Sequence, residues 1–209
     1  MSRHDVVVLG GGPAARAAAS SCAQVGLSVA RVEAAPGRVW PNTYGVWVDQ
    51  LDGLDLDATL ARRWDEVAVV AGRAHRLGRS YGVFDNAALM TTLASRAVGV
   101  DVVEGRVVGA NHDRWQSTAV LHDGRFLDAA VLVDATGHWP VLVHRADRPP
   151  LARQLAHGVV ARCSSRPSAA GCVLMDWSAP DAAGAAGEEP TFLYALELGE
   201  GWWLSLIHI

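Results

Sequence analysis

The residues best suited to chemistry come first in the chain. Gly10-x-Gly12-x-x-Ala15 follows the apolar run "DVVVL" (residues 5–9) and opens the Ala-rich stretch "GGGPAARAAASSCAQVG". In that context Gly10 permits a tight turn, Gly12 lets the backbone approach a pyrophosphate, and Ala15 allows close helix–strand packing. The N-terminus of the following helix offers unpaired N–H donors and the positive end of its dipole to phosphates. Glu33, about 20 residues on at the end of the next apolar run "LSVARVE", can accept hydrogen bonds from ribose hydroxyls. About 100 residues later the apolar run "AAVLVDATG" ends in Asp134 and Gly137, the pattern expected where a flavoprotein brings a second strand end to the same nucleotide. The first motif fits NAD or FAD; the two together favour FAD.

A second group is aromatic. Only 7% of the chain is Phe, Trp or Tyr, yet "VWPNTYGVWVDQL" holds Trp40, Tyr44 and Trp47, and "SYGVFDN" adds Tyr81 and Phe84. Such rings pack cores, and they also line channels for apolar substrates, where their π-faces stabilise positive charge. Both roles are compatible here. Asp176 and Trp177, in "LMDWS", add a carboxylate that is either a pocket acid or a capping Asp at a strand end. His138, His144 and His157 lack metal-ligand spacing, so no metal site is expected.

The elements that must position these residues read as an α/β fold. Residues 1–33 form a β-α-β unit with a right-handed crossover, its helix closed by Gly26. An irregular Pro-, Gly- and Trp-containing stretch follows, then a short helix near "DATLARRW" and strands at "EVAVVA" and "RSYGVFD". Asp85 or Asn86 caps a helix with Leu89, Met90, Leu93 and Ala97 on one face. A β-meander with an Asp123-Gly124 turn returns to the buried "AAVLVDATG" strand. From about residue 150, longer strands ("QLAHGVVARC", "AGCVLMDW", "PTFLYALEL", "GWWL") begin a second, antiparallel domain, with "SAPDAAGAAGEEP" as a flexible loop inside it. The expected organisation is thus a Rossmann-like FAD-binding domain over residues 1–150 and an incomplete, mainly antiparallel β substrate domain from residue 151.

Composition narrows the class. The chain has 209 residues, 50% of them hydrophobic, enough for one large or two small cores. Its net charge of -4 is spread without runs, which argues against nucleic-acid binding. Three cysteines without paired spacing fit a reducing cytoplasm. No signal-peptide pattern and no stretch of ~20 apolar residues is present, which leaves a peripheral membrane contact open.

Taken in order, "DVVVLGGGPA", "WPNTYGVWVDQL", "YGVFDN", "VDATGHWP", "GCVLMDWS" and "PTFLYALELGEG" resemble the lycopene cyclases of the flavoprotein type, over residues 5 to 203. Many relatives carry a third glycine at the position of Ala15. The resemblance implies a redox-neutral cyclisation: a proton adds to the terminal double bond of a linear carotenoid such as lycopene, the cation closes a six-membered ring, and a neighbouring proton leaves. It implies reduced FAD, with NAD(P)H as reductant. It places Tyr44, Trp47, Tyr81, Phe84 and Trp177 around substrate and makes Asp176 a candidate catalytic carboxylate. The family's glutamate-rich motif is due on the strand after "FLYAL", and this chain does not contain it. A hydroxylase or prenyl reductase on the same fold is the first alternative, an inactive fragment the second. Residues 204–209, "LSLIHI", can be written CTG TCT CTT ATA CAC ATC, which looks like a transposon end used as a sequencing adapter; they are expected to be non-native.

Overall fold

The computed structural model describes residues 3–143, 156–165, 168, 170–178 and 191–208. Residues 179–190 of the expected "SAPDAAGAAGEEP" loop, the start of the "QLAHGVVARC" strand, the domain boundary near residue 150 and His144 lie outside them. Along the chain the elements are β1 (His4–Leu9), α1 (Pro13–Gln24), β2 (Val29–Glu33), β3 (Gly45–Trp47), β4 (Leu60–Trp64), β5 (Val67–Ala71), β6 (Arg73–Arg76), β7 (Tyr81–Phe84), α2 (Asn86–Arg96), β8 (Val100–Glu104), β9 (Val107–His112), β10 (Ser117–Leu121), β11 (Phe126–Asp134), β12 (Ala156–Arg162), β13 (Cys172–Asp176), β14 (Phe192–Gly199) and β15 (Trp202–His208).

Two compact units share the chain, Met1–Asn42 with Asp85–Arg148, and Thr43–Phe84 with Pro149–Ile209. The first is built on a six-stranded sheet of order β8-β2-β1-β11-β10-β9. β1 runs parallel to β2 and β11, and β2 parallel to β8, while β9, β10 and β11 form the antiparallel meander. Val7, Val8 and Leu9 are fully buried, as a central parallel strand covered on both faces requires. Each such side chain contributes about 1.5–3 kcal/mol relative to exposure. Val6 and Val8 pack against Ala15 and Ala19 of α1 on one face; Val7 and Leu9 pack against Ala30, Val32, Ala119 and Leu121 on the other.

Local chemistry sets the helix ends. Pro13 starts α1, where a missing N–H costs nothing. Gly26, at φ +86°, ends it in a Schellman turn, its N–H donating to the Ala23 carbonyl and that of Leu27 to the Cys22 carbonyl. Asp85 caps α2 by accepting from the Ala87 and Ala88 N–H groups, and Leu89 and Leu93 are its buried residues.

The second unit holds a six-stranded sheet, β12-β15-β14-β13-β5-β6, and a three-stranded sheet, β3-β7-β4. A cluster joins the two: Trp64 and Val83 from the small sheet meet Val67, Cys172, Leu196 and Leu204 from the large one. The large sheet is mainly antiparallel, as expected, except that β13 runs parallel to β5. The β14–β15 turn uses Glu200 and Gly201 at positive φ. Residues 204–208, expected to be non-native, extend β15 in register with β12 and β14, and Leu204 is buried.

Two expectations change. The helix near "DATLARRW" is a single 3-10 turn, Asp57–Thr59, followed by β4, because Leu60–Trp64 pairs with β7. The nucleotide domain is also not continuous over residues 1–150, since 43–84 forms β3 to β7 of the second unit; the pairing of β5 with β13 draws it there.

Candidate functional site

The glycine turn lies between β1 and α1, and each of its small residues has its own cause. Gly10 sits at φ +131°, and a Cβ there would collide with the Ala135 carbonyl. Gly11 faces Glu33, whose side chain a Cβ would strike. Gly12 has extended backbone (φ −74°, ψ 174°), and a Cβ there would meet no atom within 4 Å. Conformation therefore demands glycine at position 10, whereas position 12 keeps open space in front of α1. No side chain caps that helix end. Bare amides, a dipole end and open room are what a pyrophosphate needs. Ala15 is fully buried against the sheet.

Glu33 ends β2 almost fully buried, with its side chain 2% exposed. Arg16 Nη2 donates to both of its carboxylate oxygens at 3.0 Å, and Arg31 Nη2 approaches Oε1 at 3.5 Å. Burial, ahead of the Glu33 charge that opposes it, holds the Arg31 guanidinium below its usual pKa. Gly11 O accepts from Trp40 Nε1 at 2.8 Å and from Arg16 Nε at 3.3 Å. Asn86, at the start of α2, donates to the carbonyls of Trp40 and Asn42.

Asp134 and Gly137 shape the loop after β11. Asp134 Oδ1 accepts from the Thr136 N–H and hydroxyl, and Oδ2 accepts from the Leu142 N–H at 2.7 Å. Burial pushes this carboxyl up, but the hydrogen bonds from Thr136, Leu142 and Val141 outweigh it and hold the pKa below the ordinary Asp value. The carboxylate thus organises the loop. Gly137 supplies φ +101° with open space at its Cβ position. Thr136 and Trp139 of this loop, the glycine turn, Glu33 and residues 105–108 line a cleft of about 550 Å³. That volume falls in the range of ligand sites, and a dinucleotide's phosphates and ribose would find the glycine turn and Glu33 on one wall. The residues present fit FAD.

The aromatic candidates fall in the second unit, except Trp40, which belongs to the first. Trp47 and Tyr81 are register partners on β3 and β7 and meet edge to face at 5.2 Å. Tyr81 lies over Gly45, where any Cβ would collide with its hydroxyl. Arg79 stacks 4.4 Å from the Trp47 ring centre and is bidentate to Asp49. Burial raises the Tyr81 and Tyr194 phenol pKa values, and burial pushes the Cys172 thiol up to about 12, so these groups stay protonated at neutral pH. Phe84 pairs with Leu60 on the opposite face of β7, and Tyr44 flanks it, its carbonyl accepting from the Phe84 N–H. Trp177 packs at a tilt against Phe192, ring centres 4.6 Å apart, and Phe192 meets Tyr194 at 5.4 Å. The structure therefore forms two aromatic groups, Trp47 with Tyr81 and Trp177 with Phe192 and Tyr194, instead of one loop lining.

Asp176 is placed by a bulge. Cys172 pairs with Val67 and Leu196 on the face of the Trp64 cluster, but after the register shift Asp176 pairs with Val70 and Leu193. Paired residues share a face, so Asp176 stands on the side of Ala68, Val70 and Val173, opposite Tyr194. Its Oδ1 accepts from the Ser178 N–H and hydroxyl, an Asx turn at the strand end. No group of three or more His, Cys, Asp or Glu that could hold a metal occurs among the described residues.

Sequence reasoning passed over Arg16 and Arg31, although each left a signal. Arg16 follows Ala15 on the stripe that buries Ala15, Ala19 and Ser20, where a charge needs a partner. Arg31 is two residues before Glu33 in a fully buried strand, so the two share a face.

Comparison with known proteins matches residues 5–203 to the family described as "Lycopene cyclase protein". The chloroplastic lycopene beta cyclase of Arabidopsis thaliana is 34% identical over 204 residues, covering 92% of this chain and 40% of that protein. The chloroplastic neoxanthin synthase of Solanum lycopersicum is 32% identical over 207 residues, covering 93% and 41%. The chain spans about two fifths of the length of these relatives. Among solved structures, pqsL, a probable FAD-dependent monooxygenase from Pseudomonas aeruginosa, superposes with a TM-score of 0.70 at 16% identity, covering 100% of this chain and 61% of its own. That likeness is one of fold.

Proposed function

The chain belongs to the lycopene cyclase protein family, and on that premise we propose that the whole protein is an FAD-dependent lycopene cyclase. It converts the linear end groups of lycopene to ionone rings by acid–base chemistry without net redox change. The observation that carries this reading is the family match from residue 5 to 203, which takes in the nucleotide cradle of the first unit and the aromatic strands of the second. When bound, reduced FAD, supplied with electrons by NAD(P)H, would add negative charge near a carbocation.

The chain's own residues take the remaining roles. Gly10, Gly12 and Ala15 shape the phosphate cradle, Glu33 accepts from ribose, and Asp134 and Gly137 hold the loop that borders the cleft. Tyr44, Trp47, Tyr81, Phe84 and Trp177 offer π-faces and a dry surface to a polyene cation. Asp176 is the candidate acid–base carboxylate within this chain, its Oδ1 turned to Ser178. The free cysteines Cys22, Cys163 and Cys172 suit the cytoplasmic setting expected from sequence, and a long polyene gives reason for peripheral membrane contact. No helix among the described residues is long and apolar enough to cross a membrane.

Purified full-length protein with reduced FAD and lycopene in heavy water tests the reading. A proton added and retained, with a different one lost, predicts a product heavier by one deuterium per ring and otherwise isomeric. Gain of oxygen or of hydrogen with NADPH consumed would instead establish a hydroxylase or a reductase. The match to a neoxanthin synthase favours, as a second reading, the same chemistry on another carotenoid end group; turnover of such a carotenoid, with lycopene left unchanged, would select it.

A further inference from the structure

Arg16 joins two parts of the nucleotide cradle that are distant in sequence. It is 5% exposed. A single guanidinium nitrogen, Nη2, donates to both Glu33 carboxylate oxygens at 3.0 Å, and Nε donates to the Gly11 carbonyl at 3.3 Å. The Trp40 ring lies 5.7 Å from that guanidinium and donates its own N–H to the same carbonyl. Arg31 adds a second cation 3.5 Å from Glu33.

A buried carboxylate stays ionised only where cations and donors replace its lost water. A Glu side chain also has rotamers to lose before it can meet a ligand hydroxyl at a fixed place. Arg16 meets both needs, and one planar guanidinium that holds Glu33 through Nη2 and Gly11 through Nε fixes direction as well as charge. Because it also holds Gly11, it sets the acid at the end of β2 against the turn that faces phosphate.

We propose that Arg16 is a positioning residue for FAD, pinning the Glu33 carboxylate in the one orientation that recognises the 2′-hydroxyl of the adenosine ribose. The proposal rests on the FAD reading above and deepens it: preference for a ribose over a deoxyribose dinucleotide belongs to the Arg16–Glu33 pair, not to Glu33 alone.

The test is binding of FAD, and of FAD carrying 2′-deoxyadenosine, to the full-length protein and its variants, followed by flavin fluorescence with circular dichroism as the check on folding. The unaltered chain should prefer FAD by about tenfold, the worth of one hydrogen bond to a charged group. Glu33→Ala and Arg16→Leu should each bring that ratio to near one, and Arg16→Lys, which keeps the charge but loses the second donor that holds Gly11, should lie between. An ion pair that serves only the fold would weaken both ligands equally and leave the ratio intact, and that result for folded Arg16→Leu overturns the proposal. If Arg16→Leu does not fold, Arg16→Lys decides, and an unchanged ratio there overturns it equally. An unaltered chain indifferent to the 2′-hydroxyl also overturns it, while FAD still binding leaves the FAD reading in place. No FAD binding by the unaltered full-length protein removes the FAD reading and this proposal together.

Discussion

Gly10 and Gly12 are two residues apart and fail for different reasons. At φ +131° with the Ala135 carbonyl in the way, Gly10→Ala should destabilise the first unit by several kcal/mol or prevent folding. Gly12→Ala meets nothing in the folded chain, so its unfolding free energy should fall by no more than about 1 kcal/mol; flavin binding should nevertheless be lost, because the new methyl fills the phosphate space. Equal loss of stability in the two variants, measured by urea unfolding, would contradict the distinction. Asp134 makes a pH prediction. Its folded pKa lies below that of the unfolded chain, so its contribution is fully present above the ordinary Asp value of ~3.9 and fades as pH falls through the folded value. The stability difference between the unaltered chain and Asp134→Asn should therefore be largest near neutrality and shrink below about pH 4. The glycines were legible in sequence because a special backbone leaves a compositional mark. The Arg16–Glu33 pair was legible only from Glu33's side, since a lone arginine in an Ala-rich helix looks like a solvated charge until the buried stripe is drawn through it.

At the scale of elements, α2 depends on its cap. Asp85→Ala removes the acceptor for the Ala87 and Ala88 N–H groups and should cost about 1 kcal/mol, read as a lower midpoint in thermal unfolding. The β3–β7 pair depends on the fit of Tyr81 over Gly45. Gly45→Ala should disrupt it and the double variant Gly45→Ala with Tyr81→Phe should recover part of the loss, a coupling that a double-mutant cycle detects. Additive effects would show that the hydroxyl is not the obstacle. Local signals predicted α1, α2 and the Asp123–Gly124 turn, because caps, stripes and positive-φ residues act within a few positions. β4 was misread as a helix, since the Asp57 turn resembles a helix start and the pairing with β7 that makes it a strand lies about 20 residues away. The bulge in β13 left no mark in the sequence, and it decides which face Asp176 occupies.

At the scale of the whole molecule, the chain crosses from the first unit to the second after residue 42, returns at 85, and is in the second unit again by β12. The change of composition after Glu33 was visible; the body it enters was not, because membership depends on the parallel pairing of β5 with β13, more than 100 residues apart. The family's motifs lie in both units, so its chemistry is proposed for the whole protein and not for the nucleotide cradle alone. The central claim is that this scaffold directs a cyclisation that leaves the mass of its substrate unchanged. Its most direct test is pigment analysis of a lycopene-accumulating host carrying the full-length gene. The account predicts that lycopene is replaced by ring-bearing carotenoids of identical mass. Lycopene left untouched by a protein that folds and binds FAD, or converted to a product of different mass, would contradict it.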